Sequence, residues 1–193
     1  MSAAGPQHRA PAPSGQSTPA AGGEQPGPDG AVEVLLPDAE ATTTLGAHLA
    51  GVLRAGDLVV LTGELGAGKT TFTQGLGAAM GVRGRVSSPT FIIAREHAAT
   101  GAGPGLIHVD AYRLTSLAEV DSLDLDSSMD EAVTVVEWGA DLVEQLAQDR
   151  LEITLERPRG STDTGSPEPP RRAVLHPVGD RWAGVDLAAV VLQ

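Results

Sequence analysis

The order of apolar and polar positions switches repeatedly between a two-residue and a three-to-four-residue period. Val32–Leu36 alternates and stops at Pro37, as a short strand does. Asp38 is placed to cap a helix running to about Leu53, with Leu45, Leu49 and Val52 on one face and Gly56 beyond its end. Asp57–Thr62 holds the apolar run Leu-Val-Val-Leu, of the kind a buried parallel strand needs. A glycine-rich turn follows, then a helix from about Lys69 to Met80 that Gly81 stops. Further strands are predicted over Phe91–His97, Leu106–Asp110, Ala132–Glu137, Leu151–Glu156 and Arg172–His176. Helices are predicted over Ser116–Leu125, Ala140–Ala147 and Val185–Leu192. This succession implies a three-layer α/β domain with a mainly parallel central sheet and a C-terminal β-hairpin.

The pattern is missing from two stretches. Residues 1–30 hold six Pro and six Gly, and no Val, Leu, Ile, Phe, Trp or Tyr. They cannot bury enough apolar surface to offset the entropy of ordering, and read as a disordered tail. They contain no apolar run of the signal-peptide kind. Residues 158–170, rich in Pro, Gly, Ser and Thr, lie between two strand-like runs and read as a flexible inserted loop of an enlarged hairpin. The folded domain is therefore expected over 31–193.

Composition narrows the chemistry. There is no cysteine, which excludes a disulfide scaffold, a thiolate metal site, a cysteine nucleophile and an iron–sulfur cluster. No run approaches the ~18 apolar residues of a membrane-crossing helix, and a cytoplasmic location is expected. Aromatics make up 3% of residues, so the core is aliphatic. The formal net charge of −12 argues against the chain itself being the main docking surface for nucleic acid. It leaves open a partner complex that holds one. Of 13 basic residues 12 are arginine, and Lys69 is the sole lysine.

That lysine stands in Gly63-Glu64-Leu65-Gly66-Ala67-Gly68-Lys69-Thr70, which fits G-x-x-x-x-G-K-[ST] at every fixed position, between a buried strand and a helix. The glycines let successive N–H groups turn inward onto phosphate oxygens, and the helix N-terminus adds its positive dipole end. Lys69 is placed for the β- and γ-phosphates, Thr70 for Mg²⁺ and Thr71 for the α-phosphate. Both ATP and GTP suit such a cradle. The base-reading N-K-x-D motif of Ras-type GTPases needs a further lysine, so ATP is favoured.

A P-loop site also needs an acid at the end of a neighbouring strand. Leu106–Asp110 and Val133–Glu137 each end in one, at the strand ends where open α/β sheets bind ligands. Either acid alone has the lesser alternative of capping a helix or facing solvent, which is much less expected of both together. His108 shares a strand face with Asp110 and reads as a polar core residue or one that supports the site. Trp138 fits core packing or a stacking or gating position. Ser87–Phe91 fits a turn entering a strand or a segment that responds to the γ-phosphate.

Taken in order, Gly63–Thr71, Ser88-Pro-Thr-Phe91, His108-Val-Asp-Ala-Tyr-Arg-Leu114 and Val136-Glu-Trp138 closely resemble the TsaE family, also called YjeE. The resemblance covers about residues 32–192. These are small bacterial P-loop ATPases needed for threonylcarbamoyladenosine (t6A) modification, at position 37 of tRNAs that read ANN codons. The resemblance implies slow hydrolysis of ATP with Mg²⁺. It implies catalytic positions at Lys69, Asp110 and Glu137, with metal positions at Thr70 and Glu137. Asp110 matches an acid important for activity, by ordering the attacking water. Beyond Gly63, Glu64, Leu65, Gly66, Ala67, Gly68, Lys69, Thr70 and Thr71, nucleotide contacts are implied at Thr42, Trp138 and Arg171. Arg171 is the nearest match for a basic residue of the last hairpin, where the inserted loop blurs the alignment. Ser88–Phe91 would form the switch. The implied partners are TsaD and TsaB, which with the separate enzyme TsaC make and transfer the threonylcarbamoyl group. The ATPase would act as a turnover or reset step, reaching tRNA only through that complex, with no membrane involved.

Two other classes remain on the residues alone. A small-molecule or nucleoside kinase would need a lid with clustered arginines, and the nearest group here is Arg83, Arg85 and Arg95. A non-enzymatic nucleotide-binding module would have no use for Asp110 and Glu137 beside Lys69 and Thr70. The run Glu119–Glu131, with six carboxylates and no basic residue, fits a solvated face or a docking surface for a basic patch.

Overall fold

The computed structural model describes residues 30–88, 94–113, 119, 126–139, 147–157 and 170–192. The tail up to residue 29, the inserted loop apart from Pro170, and the expected helices at 116–125 and 140–147 apart from Glu119 and Ala147 lie outside the described residues.

Seven strands form one sheet: β1 (Val32–Leu36), β2 (Leu58–Thr62), β3 (Ala94–His97), β4 (Gly105–Asp110), β5 (Ala132–Glu137), β6 (Arg150–Glu156) and β7 (Arg171–Val178). Their order is β1-β7-β6-β2-β5-β4-β3. The four central strands, β6, β2, β5 and β4, are mutually parallel. β7 and β1 continue the sheet antiparallel on one side, and β3 does so on the other. The sheet is thus mixed, with a parallel centre. The antiparallel partners are those reached by direct chain reversal, β3 to β4 and β6 to β7, with β1 laid on β7. β7 runs two residues beyond the expected His176 and includes Pro177. The missing N–H is tolerated there because pairing with β1 has already ended at Leu175.

On one face Val59, Leu61, Leu106, Val133, Val135, Ile153 and Leu155 pack against α1 (Ala39–Ala50), α2 (Lys69–Met80) and the short α4 (Leu187–Val191). On the other, Leu58, Val60, Ile107, Val109 and Val136 are met by Met129, at the end of α3 (Asp126–Met129), and by Ala147. α1 starts where the sequence places it, with Asp38 Oδ1 accepting from Ala41 N at 2.8 Å. It ends three residues earlier than expected, at Ala50, and Leu53 follows the turn at 51–52. The C-terminal helix is also shorter than predicted. Residues 185–186 lead into it and Asp186 caps it, its Oδ1 accepting from Ala189 N at 3.0 Å.

α1 and α2 approach so closely that backbone meets backbone. A Cβ at Gly46 would overlap the carbonyl of Phe72, and one at Gly75 would overlap the carbonyl of Thr43. Only glycine at both crossing points permits this spacing. It matters for the site, because α2 begins at the phosphate motif and α1 carries Thr42.

Candidate nucleotide site

β2 delivers the chain to Gly63 at the carboxyl end of the sheet, and α2 leaves from Gly68. Gly63 has φ 144°, and a Cβ there would strike the Leu155 carbonyl of β6. Gly66 and Gly68 are also left-handed, with φ of 79° and 113°. The loop therefore curls as a phosphate cradle must, and none of the three positions suits an L side chain.

Lys69 folds back over the loop. Its Nζ donates to the carbonyls of Gly63 at 2.8 Å and Glu64 at 3.1 Å. The Trp138 ring lies on the ammonium, with Nζ 3.7 Å from its centroid. Lys69 is only 5% exposed. That burial pulls its pKa below the ordinary lysine value, and the charges of Glu137 and Asp110 oppose the shift in part.

The acids arrive from two neighbouring strands. In the β4–β5 register Asp110 lies beside Glu137, and β5 places Glu137 beside Leu61 of β2. Both acids sit on the α2 face of the sheet. Glu137 is buried, and its carboxylate accepts from Thr70 Oγ1, at 3.0 Å to Oε1 and 3.4 Å to Oε2. His108 Nε2 is 2.9 Å from the same Oε1. Asp110 is partly exposed, and its Oδ1 accepts from Tyr112 N at 3.1 Å.

Trp138 follows Glu137 with φ 62°, the one left-handed non-glycine residue among those described. Its N–H donates to Leu61 O at 3.0 Å, and Tyr112 meets its ring edge-on at 5.3 Å. These groups enclose an open pocket of about 430 Å³. Leu65, Gly66, Gly68, Lys69, Thr70, Thr71, Asp110, Glu137 and Trp138 line it, as do Ser88 and Tyr112.

Thr42 and Arg171 are not in that lining. They meet the loop from the α1 and β7 side, with Thr42 Cγ2 3.2 Å and Arg171 Cδ 4.0 Å from where a Gly68 Cβ would stand. Gly63, Glu64 and Ala67 shape the loop through their backbone and also lie outside the lining. Of the expected switch only Ser88 is described, and Pro89, Thr90 and Phe91 lie outside the described residues.

The donors suit a hard cation. Thr70 offers a hydroxyl and Glu137 a carboxylate, 3.0 Å apart, and oxygen donors of this kind are what Mg²⁺ takes. Among the described residues no group of three or more His, Cys, Asp or Glu forms an all-protein metal cage. Magnesium sites that also use substrate phosphate and water need none.

Residues 36–164 match the family described as "Threonylcarbamoyl adenosine biosynthesis protein TsaE". The Streptomyces coelicolor protein named tRNA threonylcarbamoyladenosine biosynthesis protein TsaE is 52% identical over 147 residues, which span 76% of this chain and 97% of that one. This chain belongs to the TsaE family. The TsaE protein of Bacillus subtilis is 40% identical over 119 residues, covering 61% of this chain and 73% of its own. The crystal structure of Bacillus subtilis YdiB superposes with a TM-score of 0.61 at 29% identity, over 84% of this chain and 94% of that one.

Within this TsaE-family site, sequence assigned no role to Tyr112 or Arg157 and read His108 only in part. Tyr112 reaches the pocket through its edge contact with Trp138. The Arg157 guanidinium comes within 3.8 Å of a Cβ position at Gly66, from the end of β6. His108 was legible as a polar residue on the right strand face, but its bond to Glu137 crosses from β4 to β5 and needs the sheet order. Trp138 lines the pocket, whereas Trp182 is the core tryptophan.

Proposed function

We propose that this chain is the magnesium-dependent ATPase of t6A biosynthesis, acting through a TsaD–TsaB complex as its turnover step and meeting tRNA only through that complex. The observation that carries the reading is the bond from half-buried Thr70 to buried Glu137 beside the desolvated Lys69 ammonium, at the mouth of a left-handed glycine cradle. Backbone N–H groups of the cradle and Lys69 bind the phosphates, and Thr71 adds a contact to the α-phosphate. Thr42 and Arg171, on the far side of Gly68, hold the nucleoside end. Thr70 and Glu137 hold Mg²⁺, which when bound offsets the negative charge of the phosphoryl oxygens. Asp110, at the partly exposed strand end, orders the attacking water. Trp138 and Tyr112 form an aromatic wall beside the Lys69 ammonium. Among the described residues no helix is long and apolar enough to cross a membrane.

The test is association and hydrolysis measured together. Purified wild type is incubated with TsaD and TsaB in ATP or ADP, with and without Mg²⁺, beside Lys69→Ala. Wild type is expected to associate and to release phosphate in a Mg²⁺-dependent way, and Lys69→Ala to lose nucleotide binding. Failure of wild type to associate in any nucleotide state, or phosphate release no higher than background with both partners present, would overturn the proposal.

A further inference from the structure

We infer that His108 is a positioning residue that decides which oxygen of Glu137 faces the pocket. The inference rests on the reading of Glu137 as the magnesium carboxylate. His108 is fully buried on β4, one strand from Glu137, on the same side of the sheet. A carboxylate only accepts, so the 2.9 Å bond to Oε1 requires the His108 proton on Nε2. Nδ1, at the other end of the ring, has no hydrogen-bond partner among the described residues. A buried polar atom left without a partner is costly, and a leucine would fill the space without that cost. The imidazole's evident contribution is its single bond to Glu137.

That bond selects one oxygen. Oε1 accepts from both His108 and Thr70 at about 3 Å, whereas Oε2 has only the longer 3.4 Å contact with Thr70. With Oε1 occupied from behind, the carboxylate cannot rotate freely about its last bond, and Oε2 remains as the oxygen with spare acceptor capacity. A ligand held by such an outer partner has less freedom to lose when a cation binds.

The experiment compares His108→Gln, His108→Asn and His108→Leu in the full chain. The glutamine amide nitrogen reaches about as far as Nε2 and retains the donor. The asparagine amide ends short of Glu137, and leucine has no donor. ADP affinity is measured by calorimetry, first in EDTA and then across a titration of free Mg²⁺, with the melting temperature of each ligand-free variant recorded.

His108→Asn and His108→Leu are expected to bind ADP in EDTA within about twofold of wild type and to need about tenfold more Mg²⁺ for the same tightening. His108→Gln should stay within about threefold of wild type. If His108→Leu does not fold, the Gln and Asn pair decides. Equal Mg²⁺ dependence in Gln and Asn, or an unchanged Mg²⁺ dependence in Leu, would show that the imidazole only packs and would overturn the inference alone. A wild type whose ADP affinity ignores Mg²⁺ would instead remove the reading of Glu137 itself, and this inference with it.

Discussion

Gly75→Ala adds a single methyl group at the place where the two helices beneath the nucleotide loop touch. The new carbon would overlap the Thr43 carbonyl oxygen and lie 2.8 Å and 2.9 Å from the carbonyl carbon and Cα of the same residue. All three are backbone atoms, so no rotamer change relieves the contact, and α1 must withdraw by more than an ångström. Overpacking of a tight core costs about 1–3 kcal/mol, and a backbone obstacle places this case at the upper end. Alanine's better helix propensity returns about 1 kcal/mol. The net loss is about 2 kcal/mol, or roughly 4–8 °C in Tm for a domain of this size. Gly77→Ala is the matched control. It has the same propensity gain, but its methyl meets Val86 Cγ2 at 2.7 Å and Leu106 Cδ2 at 3.2 Å, side-chain atoms that can move. Thermal and urea unfolding followed by circular dichroism give both values. Because α1 carries Thr42 against Gly68, nucleotide affinity is measured on the folded protein too and should fall for Gly75→Ala. A Gly75→Ala protein as stable as Gly77→Ala would refute the argument that backbone contact sets the helix spacing.

Two further outcomes follow from buried charge. Arg181 donates to both carboxylate oxygens of Asp57 at 2.8 Å and to Val52 O at 2.7 Å, tying the turn after β7 to the entry of β2. Arg181→Ala leaves a carboxylate that is 5% exposed with only the Arg54 N–H at 2.8 Å and an Arg54 side-chain ion pair at 3.9 Å, and should cost about 3 kcal/mol by urea unfolding, the low end for a broken buried pair, whereas loss below about 1 kcal/mol would show that solvent reaches Asp57. Lys69 has a folded-state pKa lowered from 10.5 by burial, so between the lowered value and 10.5 the unfolded chain binds more protons than the folded one. Stability of the ligand-free protein should therefore rise with pH through that window, relative to Lys69→Met, and a flat difference curve would argue that the ammonium is solvated.

Among the described residues, the one-dimensional pattern determined the order of the strands along the chain, the first two helices, the cradle and the two acids, because each is a local property. An apolar run, a helix cap and a glycine-rich turn depend on neighbours in the chain. α2 begins and ends at Lys69 and Met80, where Gly68 and Gly81 place it, and β5 spans Ala132–Glu137 as its apolar run predicts. Helix ends were less legible where the signal next to the boundary was passed over, as with Gly51, which closes α1 ahead of Gly56, and Asp186, which caps α4. Tertiary structure alone decided what crosses between strands. The β6-β2-β5-β4 order brings Glu137 onto Thr70 and His108, and Asp110 alongside. It also lays the Trp138 ring on the Lys69 ammonium, and brings Arg157 and Arg171 to the loop from the ends of the last hairpin. No spacing in the chain encodes those meetings, since they depend on which strands are neighbours and how closely two helices can approach.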